Sequence, residues 1–281
     1  MNPPILDRTM KYLAIALAVS LLSLHAEEKP RIVSLGGSVT EILYALGAQD
    51  QIVGVDLTSQ YPVEAAKLPQ VGYVRALSPE GILSLRPNLI IGTGEAGPPQ
   101  TITHLKESGV EVLILPEDHS LEGVAAKIRA IAERLKLKEA GESLVQKIET
   151  AKADLAKTVG THPRAVFLMA RDANGLMAAG QKTAADAMLS LAGAKNVAGD
   201  YSGYKPLSAE FIAAAAPDVI IVGQRTLDAV GGEENLLKNP ALTITPAGKN
   251  KRIIAMDDMY LLGFGPRAGD AAIELAAAIR P

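Results

Sequence analysis

The sequence predicts an α/β fold of two lobes, each a mainly parallel sheet covered by helices, joined by one long helix and parted by a ligand cleft. Three observations predict it. Strand-like apolar runs alternate with helical stretches from Arg31 onward. One amphipathic stretch, residues 137–159, is long enough to bridge two bodies. A segment near residue 80 recurs 130 residues later.

In chain order, Arg8 and Lys11 precede an apolar run from Tyr12 to Leu24, closed by His25 and Ala26. The run is about 13 residues where a membrane span needs about 20, so it reads as a signal peptide cleaved near Ala26. Met10 is an alternative start. No cysteine follows the run, which excludes lipid attachment there, and the mature chain is expected to be a periplasmic protein without a lipid tether.

Arg31–Leu35 reads as a strand, Gly36 and Gly37 as a turn, and Ser38 to Glu41 as a capping box opening a helix through Ala45. Gln51–Val55, Leu89–Ile91 and Val110–Leu115 read as further strands. Leu137, Ala140, Leu144, Ile148, Ala151, Leu155 and Val159 recur at steps of three and four, with charges on the other faces. That is a helix of about 35 Å, stopped by Gly160 and Pro163. Ala165–Met169, Val219–Val222 and Arg252–Ala255 then resume the alternation. The division is residues 1–26 signal peptide, 27–136 N-terminal lobe, 137–160 linker helix and 161–281 C-terminal lobe.

The repeat supports two related lobes. Leu77, Ser78, Glu80, Ile82, Pro87, Ile90 and Ile91 have identical counterparts at Leu207, Ser208, Glu210, Ile212, Pro217, Ile220 and Ile221. Each copy reads as an N-capped helix, a proline stop and a buried strand. Glu80 and Glu210 fall in matching first turns, where each favours its helix dipole.

Of the 281 residues none is cysteine, which excludes disulfides, thiolate metal sites and thiol catalysis. A net charge of −3 argues against nucleic acid as a partner. With no tryptophan and three phenylalanines, the seven tyrosines carry most of the aromatic chemistry.

Gly92, Gly94 and Gly97 match G-x-G-x-x-G after a strand, and Glu117 follows at the distance of a ribose-binding acid. This allows a dinucleotide-binding oxidoreductase. Pro98 and Pro99 speak against it, because a proline inside a running helix costs about 3 kcal/mol. A plain glycine-rich loop is the other reading. His104, His119 and His162 are too scattered to read as a metal site. No G-x-S-x-G supports a serine hydrolase.

Tyr73 and Arg75 stand two apart, so an extended backbone points both side chains the same way. A tyrosinate can ligate ferric haem, a guanidinium beside it favours the phenolate, and arginine suits haem propionates. A turn tyrosine with a solvated arginine fits the same residues.

Residues 31–42, the block Gly72-Tyr73-Val74-Arg75-Ala76-Leu77-Ser78-Pro79-Glu80-Gly81, and residues 177–180, 183–188 and 261–267 carry a resemblance over nearly all the mature chain. It resembles the periplasmic haem-binding proteins of bacterial ABC-type haem importers, a class that also holds siderophore and cobalamin carriers. The resemblance implies two Rossmann-like lobes, no enzymatic activity, and haem b as transported cargo gripped in the cleft. Tyr73 would be the axial iron ligand, Arg75 its partner, and Arg225 and Tyr204 walls from the second lobe. Two-haem relatives carry a histidine near Arg171, and its absence counts against that mode. The implied partner is a permease dimer in the inner membrane, docked through Glu80 and Glu210, with an outer-membrane haem receptor upstream and the carrier itself a monomer. A ferric-siderophore or cobalamin carrier is the alternative within the class.

Overall fold

Buried apolar runs of four or five residues build two sheets in the computed structural model, which describes residues 29–157, 162–172 and 175–280. The signal peptide, Val159 and Gly160 lie outside the described residues, as does the side chain of Arg171.

The first sheet has the order β2-β1-β5-β6 and is wholly parallel. Its strands are β1 (Ile32–Leu35), β2 (Ile52–Val55), β5 (Leu89–Thr93) and β6 (Glu111–Leu115), while β3 (Gly72–Tyr73) and β4 (Ala76–Leu77) make a separate short hairpin. Helices α1 (Gly37–Ala45), α2 (Pro79–Leu83), α3 (Pro99–Glu107) and α4 (Leu121–Arg134) connect them. After α5 (Lys138–Lys157) comes the second sheet, of order β10-β8-β7-β11-β12 with β9 beside β7. Its strands are β7 (Arg164–Asp172), β8 (Gly175–Ala179), β9 (Lys195–Asn196), β10 (Tyr204–Pro206), β11 (Val219–Gly223) and β12 (Ile253–Met256). The helices of this half include α6 (Ala184–Leu191), α7 (Ala209–Ala215), α8 (Gln224–Val230), four short ones ending with α12 (Asp258–Leu262), and α13 (Ala268–Ala278).

The repeat is architectural. The parallel trio β1-β5-β6 returns as β7-β11-β12, and β11 lies 130 residues after β5 at both ends. Ser78 and Ser208 cap α2 and α7, accepting from the N–H of Gly81 and Phe211. The lobes differ at one flank, where antiparallel β8 and β10 occupy the side that parallel β2 takes in the first sheet. Sequence alternation missed this pair, although Asn174-Gly175 is a hairpin signal.

Helix α5 joins the halves, and its stripe of Gly141, Val145, Ile148 and Ala151 is buried. A Cβ on Gly141 would sit 2.4 Å from that of Ala132 on α4, and one on Gly269 of α13 would sit 2.5 Å from that of Ala151. Two close helix crossings therefore tie α5 to one helix from each lobe. One apolar core runs through Ile42, Leu89, Ile148, Phe167 and Leu275, so Arg31 onward forms one compact unit. Among the described residues no helix is long and apolar enough to cross a membrane.

The capping box at Ser38 is corrected. Helix α1 starts at Gly37, with Gly36 (φ 117°) as its N-cap and no side-chain cap. A positive φ that suits glycine turns the chain into the helix earlier, and Glu41 bonds across the molecule instead. Pro98 and Pro99 do not interrupt a helix either. They open α3, with Pro99 in its first turn, where the missing N–H costs nothing.

Candidate functional site

The C-terminal ends of both sheets face one another. Beyond β1 lies Glu41, which takes a forked bond from Arg267, beyond β12. Beyond β6 lies His119, whose ring stands 5.1 Å from that of Phe264. Ligands of α/β sheets collect at such strand ends.

Asp56, buried at the end of β2, builds one wall. Its carboxylate accepts from Gly36 N–H (2.7 Å), Thr58 N–H (2.9 Å) and the Thr58 and Ser59 hydroxyls. The segment after it presents Leu57, Tyr61 and Val63 exposed to solvent. Leu57 N–H donates to Gly72 C=O at 2.9 Å, which ties this apolar wall to the hairpin carrying Tyr73. Sequence reading missed these residues. Their signal was the exposed large side chains of the turn after Gln51–Val55, which alternation does not register.

Tyr73 ends β3 with 41 % of its surface exposed. Arg75 Nη1–H donates to Tyr73 Oη at 3.0 Å, and Nη2 pairs with Glu95. Burial works against the Arg75 charge, but Glu95 and Tyr73 outweigh it and raise its pKa. The expected pairing is present, but its basis is corrected: Val74 and Arg75 are the turn of the β3–β4 hairpin rather than extended backbone, and Glu95 is an unforeseen third member.

Tyr204 stands on β10, shortly before capped α7 as Tyr73 stands before capped α2, though one residue nearer its cap. Burial pushes its phenol up, the Arg75 charge pulls it down and Glu95 adds to the rise, so the two lobes' groups lie within electrostatic reach. Arg225 is exposed at the start of α8, where its backbone N–H donates to Asp258 at 3.0 Å. It lies at the strand-end side of the second sheet. Glu80 and Glu210 are exposed in the first turns of α2 and α7. The Ser78 hydroxyl donates to Glu80 at 2.6 Å and holds that carboxyl below its usual range.

Gly94 packs over the strand ends, and a Cβ there would lie 3.2 Å from the Glu117 backbone nitrogen. Glu117 faces His119 and Lys127. His104 sits in the last turn of α3 and His162 bonds Gly193 C=O. Among the described residues no three His, Cys, Asp or Glu gather as a metal site.

Residues 32–260 match the family model described as periplasmic binding protein. Among solved structures, the chain is similar to the periplasmic heme-binding protein RhuT from Roseiflexus sp. RS-1 in apo form. The two are 45 % identical with a TM-score of 0.84, covering 89 % of this chain and 97 % of that one. It is also similar to the periplasmic heme-binding protein BhuT in complex with two hemes, at 41 % identity and a TM-score of 0.83, over 89 % of this chain and 99 % of that one. Among sequence relatives, the vitamin B12-binding protein of Yersinia pseudotuberculosis is 28 % identical over 214 residues, 74 % of this chain and 75 % of that protein.

Proposed function

We propose that this chain, which belongs to the periplasmic binding protein family, captures haem in the periplasm and delivers it to an ABC permease. Family membership sets aside the oxidoreductase that Gly92, Gly94 and Gly97 allowed, because the task is capture and release rather than catalysis. One observation carries the haem reading: the exposed Tyr73 hydroxyl, bonded by Arg75 at 3.0 Å beside the apolar Leu57–Val63 wall. A phenolate there ligates ferric iron and the guanidinium stabilises its charge. Leu57, Tyr61 and Val63 suit a porphyrin face. Tyr204, its phenol pushed up by burial, suits a neutral contact from the opposite wall rather than a second phenolate. Arg225 supplies a cation for a propionate.

The chain would reach the periplasm through cleavage near Ala26, work as a monomer, and meet a two-fold permease through Glu80 and Glu210. An outer-membrane receptor would supply its cargo.

The test is titration of ligand-free protein with hemin. A tyrosinate-type ferric spectrum saturating at one equivalent is expected. Tyr73→Ala should abolish its charge-transfer bands, and Arg75→Leu should weaken retention less, since it spares the iron–oxygen bond. An unchanged spectrum in Tyr73→Ala rejects the ligand. The second reading, cobalamin, is favoured by the Yersinia relative. Retention of cyanocobalamin in preference to hemin would select it.

A further inference from the structure

Thr93 and Leu115 are paired at the ends of β5 and β6, and Glu95 and Glu117 each stand two residues beyond. Adjacent strands run about 4.8 Å apart, so two carboxylates leave the sheet side by side near a single guanidinium. Of the two acids, Arg75 bonds Glu95. Glu117 turns to His119 Nε2 at 3.4 Å and Lys127 Nζ at 3.9 Å. Its carboxyl stays below the usual range despite burial, held there by His119 and Lys127, with Arg75 adding to the pull. Arg75 is thus already within the field of a second acid.

Lys127 projects from the middle of α4 with only 2 % of its side chain exposed. Its ammonium has no hydrogen-bond partner among the described residues. Burial pulls it below the ordinary lysine range, opposed by Glu117, Asp118 and Glu95. Nothing in the packing of α4 calls for a charge there, and a buried ammonium without hydrogen bonds is costly. Its counterpart in the fold is the pair of acids at the strand ends.

We propose that Lys127 is a positioning residue for the cleft: by holding Glu117 it leaves the Arg75 guanidinium to Glu95 and Tyr73. Without it, Glu117 keeps His119 as its only partner on that side, and its charge, already within the field of Arg75, draws the guanidinium over. Of the two bonds Arg75 makes, the one to the phenol is the weaker, because a carboxylate is the better acceptor. The Tyr73 bond is therefore the one lost.

The test uses the full chain with Lys127→Met, which keeps the length of the side chain and removes the charge. In ligand-free protein, the Arg75 Nε–H resonance, assigned by its loss in Arg75→Leu, should shift. Hemin transfer to excess apomyoglobin should run about tenfold faster, as for the loss of one hydrogen bond to a charged group. Lys127→Met combined with Glu117→Gln removes the competing acid and should return both readings to wild type. Should Lys127→Met fail to fold, Lys127→Gln carries the same expectations. A wild-type Arg75 resonance in the single variant, or a double variant displaced further than the single, overturns the inference. The hemin-transfer arm rests on the haem reading, and the two failures are separable. If wild type gives no hemin spectrum while the Arg75 resonance shifts and is restored, the haem reading falls alone. If wild type gives the spectrum and the resonance never moves, the inference falls alone.

Discussion

Arg267 donates through Nε and Nη2 to both carboxylate oxygens of Glu41 at 2.8 Å, across 226 residues of sequence. The guanidinium also lies 3.6 Å from the centroid of Tyr61 and 5.0 Å from that of Tyr260. A planar group serves as fork and stacking partner at once, which an ammonium cannot do. Glu41 is 5 % exposed, so removing its partner strands a buried acid. Arg267→Leu should therefore destabilise the protein by about 3–5 kcal/mol, read from urea unfolding, and Arg267→Lys should recover only part of it. A loss below about 1 kcal/mol, the range of a surface pair, would count against a buried clamp.

The same pair sets a pH dependence. Burial pushes the Glu41 carboxyl above its ordinary 4.5, against the pull of the Arg267 fork. An acid with a raised folded pKa contributes its stability in full below the unfolded value and loses it as pH rises through the folded value. Glu41→Gln does not titrate. Its urea midpoint relative to wild type should therefore move in the variant's favour between about pH 4 and about pH 7. A constant gap, or one moving in favour of wild type, contradicts the direction.

Local signals made much of this fold legible. The 130-residue offset located β5 and β11 as equivalents, because a proline stop and a buried strand are written in neighbouring residues. The period of α5 showed its buried face, and Ser78 and Ser208 cap as their spacing requires. What was illegible depended on partners far along the chain. Ser38 and Glu41 read as a capping box because Arg267 is 226 residues away and Gly36 takes over the turn. Glu95 was absent from the sequence reading of the site. Its importance comes from the register of Thr93 with Leu115, which brings it beside Glu117 near Arg75. Tyr73 and Arg75 were legible as neighbours, but for a different physical reason: Val74 and Arg75 form the turn of the β3–β4 hairpin, and the turn rather than an extended backbone folds the guanidinium back onto the phenol.

The linker predicts a small motion. Helix α5 runs about 30 Å at 1.5 Å per residue and is clamped at Gly141–Ala132 on one side and Gly269–Ala151 on the other. The core is continuous from Ile42 to Leu275, and the Glu41–Arg267 fork spans the lobes. Packed interfaces of this kind rock rather than hinge. Small-angle scattering curves of ligand-free and hemin-loaded protein should nearly superimpose. A compaction of several ångströms in radius of gyration would mean that the clamps open.

The last prediction concerns delivery. Glu80 and Glu210 are exposed in the first turns of equivalent capped helices, at the strand-end side of their sheets. The hairpin leading into α2 is pinned there by Leu77 N–H donating to Gly97 C=O, beyond β5. The approach to α7 is pinned by Leu207 N–H donating to Leu176 C=O, beside the far end of β7. A permease dimer has a two-fold axis, and it could offer one cation to each member of such a pseudo-symmetric pair. Helix-dipole stabilisation alone would also place acids here, so the discriminating measurement is delivery rather than folding. Glu80→Arg combined with Glu210→Arg should leave hemin binding and thermal unfolding nearly unchanged while abolishing stimulation of the transporter's ATPase. Because rim charges act chiefly on association rate, each single variant should lose part of the stimulation, and more of it at low salt, where screening is weak. Full stimulation by the double variant at ordinary salt would leave the two glutamates with the helix dipole as their only role.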